Sequence, residues 1–215
     1  VERMKVCTCL NPLHTALAIY GCLLDYKKIS DEMRDDELTK LIKTIGYKEG
    51  LPVVTNPGII NPKDFIDTVV KVRLPNPFMP DTPQRIACDT SQKLAIRFGE
   101  TVKAYEKSDS LKVSDLKLIP LVFAGWARYL MGIDDNLNKF ELSPDPLLDK
   151  VVPMVADIKI GDSDIHSKLE KLFSDASIFG VNLYDVGLGE KSEKYFAELI
   201  AGKDAIRVTL KKYVD

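Results

Sequence analysis

Apolar residues recur every three to four positions along most of the chain, the spacing of helices that bury one face. The set Leu13, Leu17, Tyr20 and Leu24 predicts a helix running to about Tyr26, with Asn11 as its cap and Pro12 in its first turn. Ahead of it, Lys5 to Leu10 is short, apolar and alternating, and reads as a strand. Leu38, Leu41, Ile42 and Ile45 predict a helix from Asp31 to Thr44, and Asn61-Pro62 repeats the cap signal before Phe65, Ile66, Val69 and Val70. Four prolines keep Leu74 to Pro83 extended or turning. A long helical region, with room for a break, follows from Thr82 to Lys107. Ser114 is placed to cap a very apolar helix that ends near Met131 and supplies the centre of the core. Further helices fit Pro146–Val155, His166–Phe173, Lys191–Ala201 and Lys203–Tyr213. With so few strand signals the fold class is all-α. No repeat or low-complexity segment interrupts the pattern.

Composition narrows the function classes. A net charge of −2 gives no electrostatic case for nucleic acid or an anionic membrane. No apolar run approaches the ~20 residues of a membrane span. The chain opens on Val1-Glu2-Arg3-Met4 and passes straight into apolar sequence, which reads as a start inside a longer polypeptide. Cys7, Cys9, Cys22 and Cys88 have neither zinc-site nor disulfide-framework spacing, so free, buried thiols in a reducing cytoplasm are expected, and no metal. Gly187 and Gly189 are not embedded in a strand, turn and helix, so a nucleotide site would have to come from another domain.

Two polar clusters stand out. Asn11 and His14 are three apart at a helix start and can share a cavity, with Lys5 just ahead on an apparently buried segment. A lysine stripped of water there would lose basicity toward the range of a general base. The plain alternative is a capping Asn11, a packed His14 and a Lys5 that reaches out to solvent. Arg85, Asp89 and Lys93 follow at intervals of four, one stripe if they share a helix. That stripe is either a surface ladder of ion pairs or a cationic grip on a polar substrate organised by Asp89.

A resemblance bears on these alternatives. Met4 to Ala18, Met-Lys-Val-Cys-Thr-Cys-Leu-Asn-Pro-Leu-His-Thr-Ala-Leu-Ala, resembles the start of the C-terminal domain of the mannitol dehydrogenase family, the polyol-specific long-chain dehydrogenases. Asn76 to Lys93, Ser143-Pro-Asp-Pro-Leu147 and Gly202 to Leu210 are also similar to family segments. The resemblance implies a multi-helical domain like the C-terminal domain of 6-phosphogluconate dehydrogenase-type enzymes. In this reading residues 1–10 end an inter-domain segment and 11–215 form the helical domain. It implies a partner Rossmann domain that binds NAD or NADP, no metal, and a polyol or sugar-acid substrate oxidised at a secondary alcohol. Lys5 then matches the family's general base, Asn11 and His14 the groups beside the reacting oxygen, and Arg85 and Lys93 substrate-contacting cations. Two departures stand out: Lys5 and Asn11 are six apart where the family usually has five, and Pro12-Leu13 replaces the common Gly-Ser. The alternative is the same helical fold serving dimerisation or ligand sensing without catalysis.

Overall fold

The computed structural model describes residues 1–215 and contains helices and turns with no β-sheet; its one β-bridge joins Ile133 to Lys139. The helices in chain order are α1 (Glu2–Met4), α2 (Asn11–Leu23), α3 (Ile29–Glu32), α4 (Asp36–Thr44), α5 (Pro62–Thr68), α6 (Pro83–Ile86) and α7 (Glu100–Glu106). They continue with α8 (Leu118–Tyr129), α9 (Leu148–Val151), α10 (His166–Phe173), α11 (Ala176–Phe179), α12 (Gly189–Leu199) and α13 (Ala205–Val214). Four π-helical turns are set among them, at Lys5–Cys9, Ile45–Gly50, Val69–Arg73 and Ala95–Gly99.

The core forms where α2 and α8 meet. Twelve residues of α2 and all of α8 are buried. Gly125 makes the close approach possible, because a β-carbon there would lie 2.6 Å from the Tyr20 ring. The Tyr20 hydroxyl donates to the Leu121 carbonyl at 2.6 Å, so a polar tip inside the core is satisfied. Phe98, Phe123, Trp126, Phe173 and Phe179 extend this core as edge-to-face aromatic pairs.

Several sequence expectations need correction. Lys5 to Leu10 is not a strand: α1, the π turn Lys5–Cys9 and α2 run together as one helix over Glu2–Leu23. Asn11 therefore caps nothing, since Leu10 occupies the flanking position and no side chain caps the helix. By length and composition this helix would suffice to cross a bilayer, contrary to the expectation from apolar run length. Its most apolar window is 89% buried inside the domain, which accounts for that character. The predicted Asp31–Thr44 helix breaks at Met33–Asp35, because Asp35 accepts from the Leu38 N–H at 3.1 Å and starts α4 afresh. Ser114 does not cap α8. The buried Glu49 carboxylate does so from 68 to 70 positions away, accepting from the N–H groups of Lys117, Leu118 and Ile119 at 2.9–3.2 Å. The Asn61 cap holds as read, accepting from Lys63 and Asp64.

Candidate functional site

His14 sits one turn into α2 with only 9% of its surface exposed. The proline-rich segment before α6 passes over it and brings Asp81 close, His14 Nε2 to Asp81 Oδ2 being 3.4 Å. That separation is within ion-pair range but lacks hydrogen-bond geometry, so the buried Nε2 has no partner in the chain. The segment is pinned by the Ile29 N–H, which donates to the Asp81 carbonyl at 3.0 Å. Burial pushes the His14 pKa down to about 4, and the positive charges of Arg73, Arg97 and Arg85 act the same way against Asp81. The imidazole is therefore neutral at physiological pH.

The cations around it are held differently. Arg85 pairs with Asp81, its side chain 59% exposed. Lys93 turns back to donate to the carbonyls of Ile86, at 3.3 Å, and Cys88, and so closes the end of α6. Burial and the neighbouring Arg97 lower its pKa. Arg97, half-buried on the π turn Ala95–Gly99, donates to the Thr15 hydroxyl at 2.6 Å.

The structure thus gathers Arg85 and the Lys93–Arg97 pair near His14, but not as a stripe on one helix. The chain leaves α6 after Ile86, Asp89 adopts a left-handed conformation at φ 57°, and a 3-10 turn over Thr90–Gln92 follows. The Asp89 carboxylate pairs with neither cation; its backbone N–H donates to the Pro144 carbonyl at 2.9 Å. The family-like Ser143–Leu147 segment is the brace for this turn. Ser143 donates to the Gln84 carbonyl at 2.7 Å, and Asp145 accepts from the Ser91 N–H at 2.8 Å.

Lys5 stands apart from the cluster. Its side chain is 34% exposed and its Nζ lies 3.1 Å from Glu2, so the expected buried lysine is instead a surface ion pair. No hydrogen bond or ion pair joins it to Asn11 or His14. Its spacing does have a structural answer. The Leu10 N–H donates to the Lys5 carbonyl at 3.2 Å, the i to i+5 bond of a π turn. Such a turn holds one residue more than an α turn. The sixth position between Lys5 and Asn11 is absorbed within the helix. Asn11 is half-buried with its amide free.

Sequence reasoning missed Arg97, Arg73 and Asp81. The signal available was a cation four positions after Lys93, set between Ile96 and Phe98. Apolar side chains flank the cluster in sequence, with Phe78 92% exposed and Val72 and Ile96 also open to solvent. A groove of about 410 Å³ between α12 and α13, lined by Glu198, Gly202, Lys203, Val208 and Lys212 among others, contains none of these site residues. The cysteines are free, with Cys7, Cys9 and Cys22 buried. The glycine pair does not form a dinucleotide turn: Gly187 precedes α12 and Gly189 opens it, but the Tyr184 ring packs against Gly189, at 2.2 Å from where a β-carbon would stand, and no strand leads in.

Fold and site define a helical domain that presents a cationic face around a neutral histidine. A family model described as the mannitol dehydrogenase C-terminal domain matches residues 1–195, and the chain belongs to that family. It is 58% identical over 214 residues to a D-mannonate oxidoreductase of Thermotoga maritima, covering 99% of this chain and 40% of that protein. It is 26% identical over 210 residues to a mannitol 2-dehydrogenase of Emericella nidulans, covering 96% of this chain and 38% of that protein. The fold matches the mannitol 2-dehydrogenase of Pseudomonas fluorescens, solved as a ternary complex with NAD and D-mannitol. There the TM-score is 0.83 at 24% identity, over 98% of this chain and 40% of the other. The chain spans about 40% of the length of the curated relatives it matches.

Proposed function

We propose that this chain is the substrate-binding half of an NAD(P)-dependent oxidoreductase that interconverts a hexonate of the mannonate type with its keto form. The observation that carries the reading is the gathering of Arg73, Arg85 and Arg97 about a buried, neutral His14, with Lys93 beside Arg97. A cationic face suits a sugar acid better than a neutral polyol, and the 58% identical relative is named for mannonate. The remaining polypeptide brings the nicotinamide, which supplies the hydride acceptor when bound. It docks on the site face, where exposed Phe78, Val72 and Ile96 offer apolar surface beside the cations. Asn11 donates to the reacting oxygen, and the unpartnered Nε2 of His14 holds the same oxygen or its neighbour. Lys5 takes the hydroxyl proton once the docked domain shields it from water and draws it from Glu2. The free thiols are in keeping with a reducing, cytoplasmic setting.

The separation of Lys5 from His14 favours a second reading, a helical domain kept for dimerisation or ligand sensing. One assay separates the two. The full-length protein is given D-mannonate or D-mannitol with NAD or NADP, alongside Lys5→Ala. Turnover of mannonate that falls ~10²–10⁴-fold in the variant, with little change in KM, is the expected result. No turnover by the wild type sinks the dehydrogenase reading, and near-normal turnover by Lys5→Ala removes the base role from Lys5.

A further inference from the structure

The arginines of this chain divide by how their charge is met. Arg3, Arg34, Arg85 and Arg207 pair with carboxylates. Arg128 is fully buried and donates to the carbonyls of Leu199, Ile133 and Asp134. Arg73 is exposed to water. Arg97 fits none of these classes: it is half-buried, and the one hydrogen bond of its guanidinium is to the neutral hydroxyl of Thr15, itself 1% exposed. A guanidinium carries five donors, and taking it partly out of water without a counter-charge is costly. The nearby acid cannot meet that charge, because Asp81 already faces Arg85 and His14. Lys93, the neighbouring cation, is held by backbone carbonyls. Burial also pushes the Arg97 pKa down, the mark of a charge with too little compensation.

We propose that Arg97, steered by Thr15, selects for an anionic substrate at this site by binding the carboxylate end of the sugar acid. Thr15 follows His14 on α2, and its bond to Arg97 holds the guanidinium near enough for its charge to bear on the imidazole. One six-carbon acid can then meet both, its carboxylate on Arg97 and its reacting carbinol at Asn11 and His14. Two parallel bonds from a planar fork suit a carboxylate, and a neutral polyol leaves the charge unmet. The inference rests on the dehydrogenase reading above. The anion could otherwise be a phosphate of the cofactor, and the experiment separates the two sources.

The test uses the full-length protein with Arg97→Ala, Arg97→Lys and Thr15→Val. Measured quantities are kcat/KM for D-mannonate and for D-mannitol, the KM for NAD, and the rise in Tm on adding D-mannonate without cofactor. Arg97→Ala should lower kcat/KM for mannonate about 10- to 100-fold more than for mannitol, chiefly through KM. Arg97→Lys should recover part of the loss, Thr15→Val should show a smaller loss in the same sense, and the KM for NAD should hold. An equal loss on both substrates overturns the proposal, as does a loss that appears in the KM for NAD. If the wild type turns over neither substrate, the dehydrogenase reading fails and Arg97 is judged by binding alone. A Tm rise with mannonate in the wild type that Arg97→Ala abolishes and Arg97→Lys partly keeps then upholds carboxylate binding. A rise that survives Arg97→Ala, or no rise in the wild type, overturns it.

Discussion

Replacing Glu49 by glutamine tests the least local feature of this fold. The Glu49 carboxylate is 4% exposed and accepts from three consecutive N–H groups at the start of α8. Burial pushes its pKa up from 4.5 to about 7, against the pull of those N–H groups and of Lys191. A rise of that size corresponds to about 3 kcal/mol. Because the folded pKa is the higher one, the contribution is fully present below pH 4.5 and is lost as pH rises to about 7; above that it is flat. The amide of Glu49→Gln would not titrate and would keep one acceptor oxygen. The stability of wild type minus variant should therefore fall by about 2–3 kcal/mol between pH 5 and pH 8. Trp126, the only tryptophan, lies buried in α8 and reports the unfolding of the capped helix. Urea unfolding of the 215-residue chain at the two pH values, followed by its fluorescence, gives the difference. Other titrating groups cancel between the two proteins. A difference that grows with pH would show that the helix dipole and its N–H groups outweigh desolvation, and the reasoning would be refuted.

His14 should titrate in the opposite sense. Its folded pKa is pushed down from 6.5 to about 4, so its contribution is present above pH 6.5 and is lost as pH falls through 4. Against His14→Gln, the wild type should lose about 3 kcal/mol between pH 7 and pH 4 in the same unfolding assay, and a pH-independent difference would contradict a buried neutral imidazole. Gly99→Ala should cost about 3 kcal/mol or more, since its methyl would stand 2.2 Å from the Phe179 carbonyl oxygen, with backbone on both sides. An unchanged urea midpoint would mean that the Ala95–Gly99 turn and α11 can separate freely.

What the sequence disclosed was what its neighbours in sequence decide. The Asn61 cap, the proline-rich segment and the burial of α8 follow from residues within one or two turns, and the structure has them as read. The cap of α8 was beyond reach, because Glu49 is nearly 70 positions from the N–H groups it serves and no local pattern couples them. Ser114 looked sufficient on local grounds, yet it lies within a separate 3-10 turn over Val113–Asp115. The spacing of four in Arg85, Asp89 and Lys93 misled for a related reason. Spacing implies a shared face only if the helix continues, and the Pro144 carbonyl pulls the Asp89 N–H out of it. Around His14 the sequence named Arg85 and Lys93 but also set Lys5 beside them, and the structure holds Lys5 apart in a pair with Glu2. The unmet charge of Arg97 was not legible, because it is defined by what fails to surround it.

The π turns share one physical role. Each holds a charged residue of the candidate site or of its scaffold: Lys5 in Lys5–Cys9, Glu49 in Ile45–Gly50, Arg73 in Val69–Arg73 and Arg97 in Ala95–Gly99. A helix such as α2, buried over twelve of its thirteen residues, cannot rotate to re-aim one side chain without dragging its apolar face out of register. Lengthening one turn by one residue moves the polar group relative to the core face and leaves the rest in place. The distortion is confined to a single turn, visible where Leu10 reaches φ −131° and ψ −62° between the π turn and α2. Such turns have no sequence period of their own, and the spacing of six between Lys5 and Asn11 is the trace that the Lys5–Cys9 turn leaves in the sequence. Deleting one residue within Lys5–Cys9 should restore an α turn, swing Lys5 about the helix axis and leave Asn11, His14 and the α2 core where they are. A crystal structure of the deletion variant checks this, and a π turn that persists there, or an α2 that shifts as a whole, would contradict it.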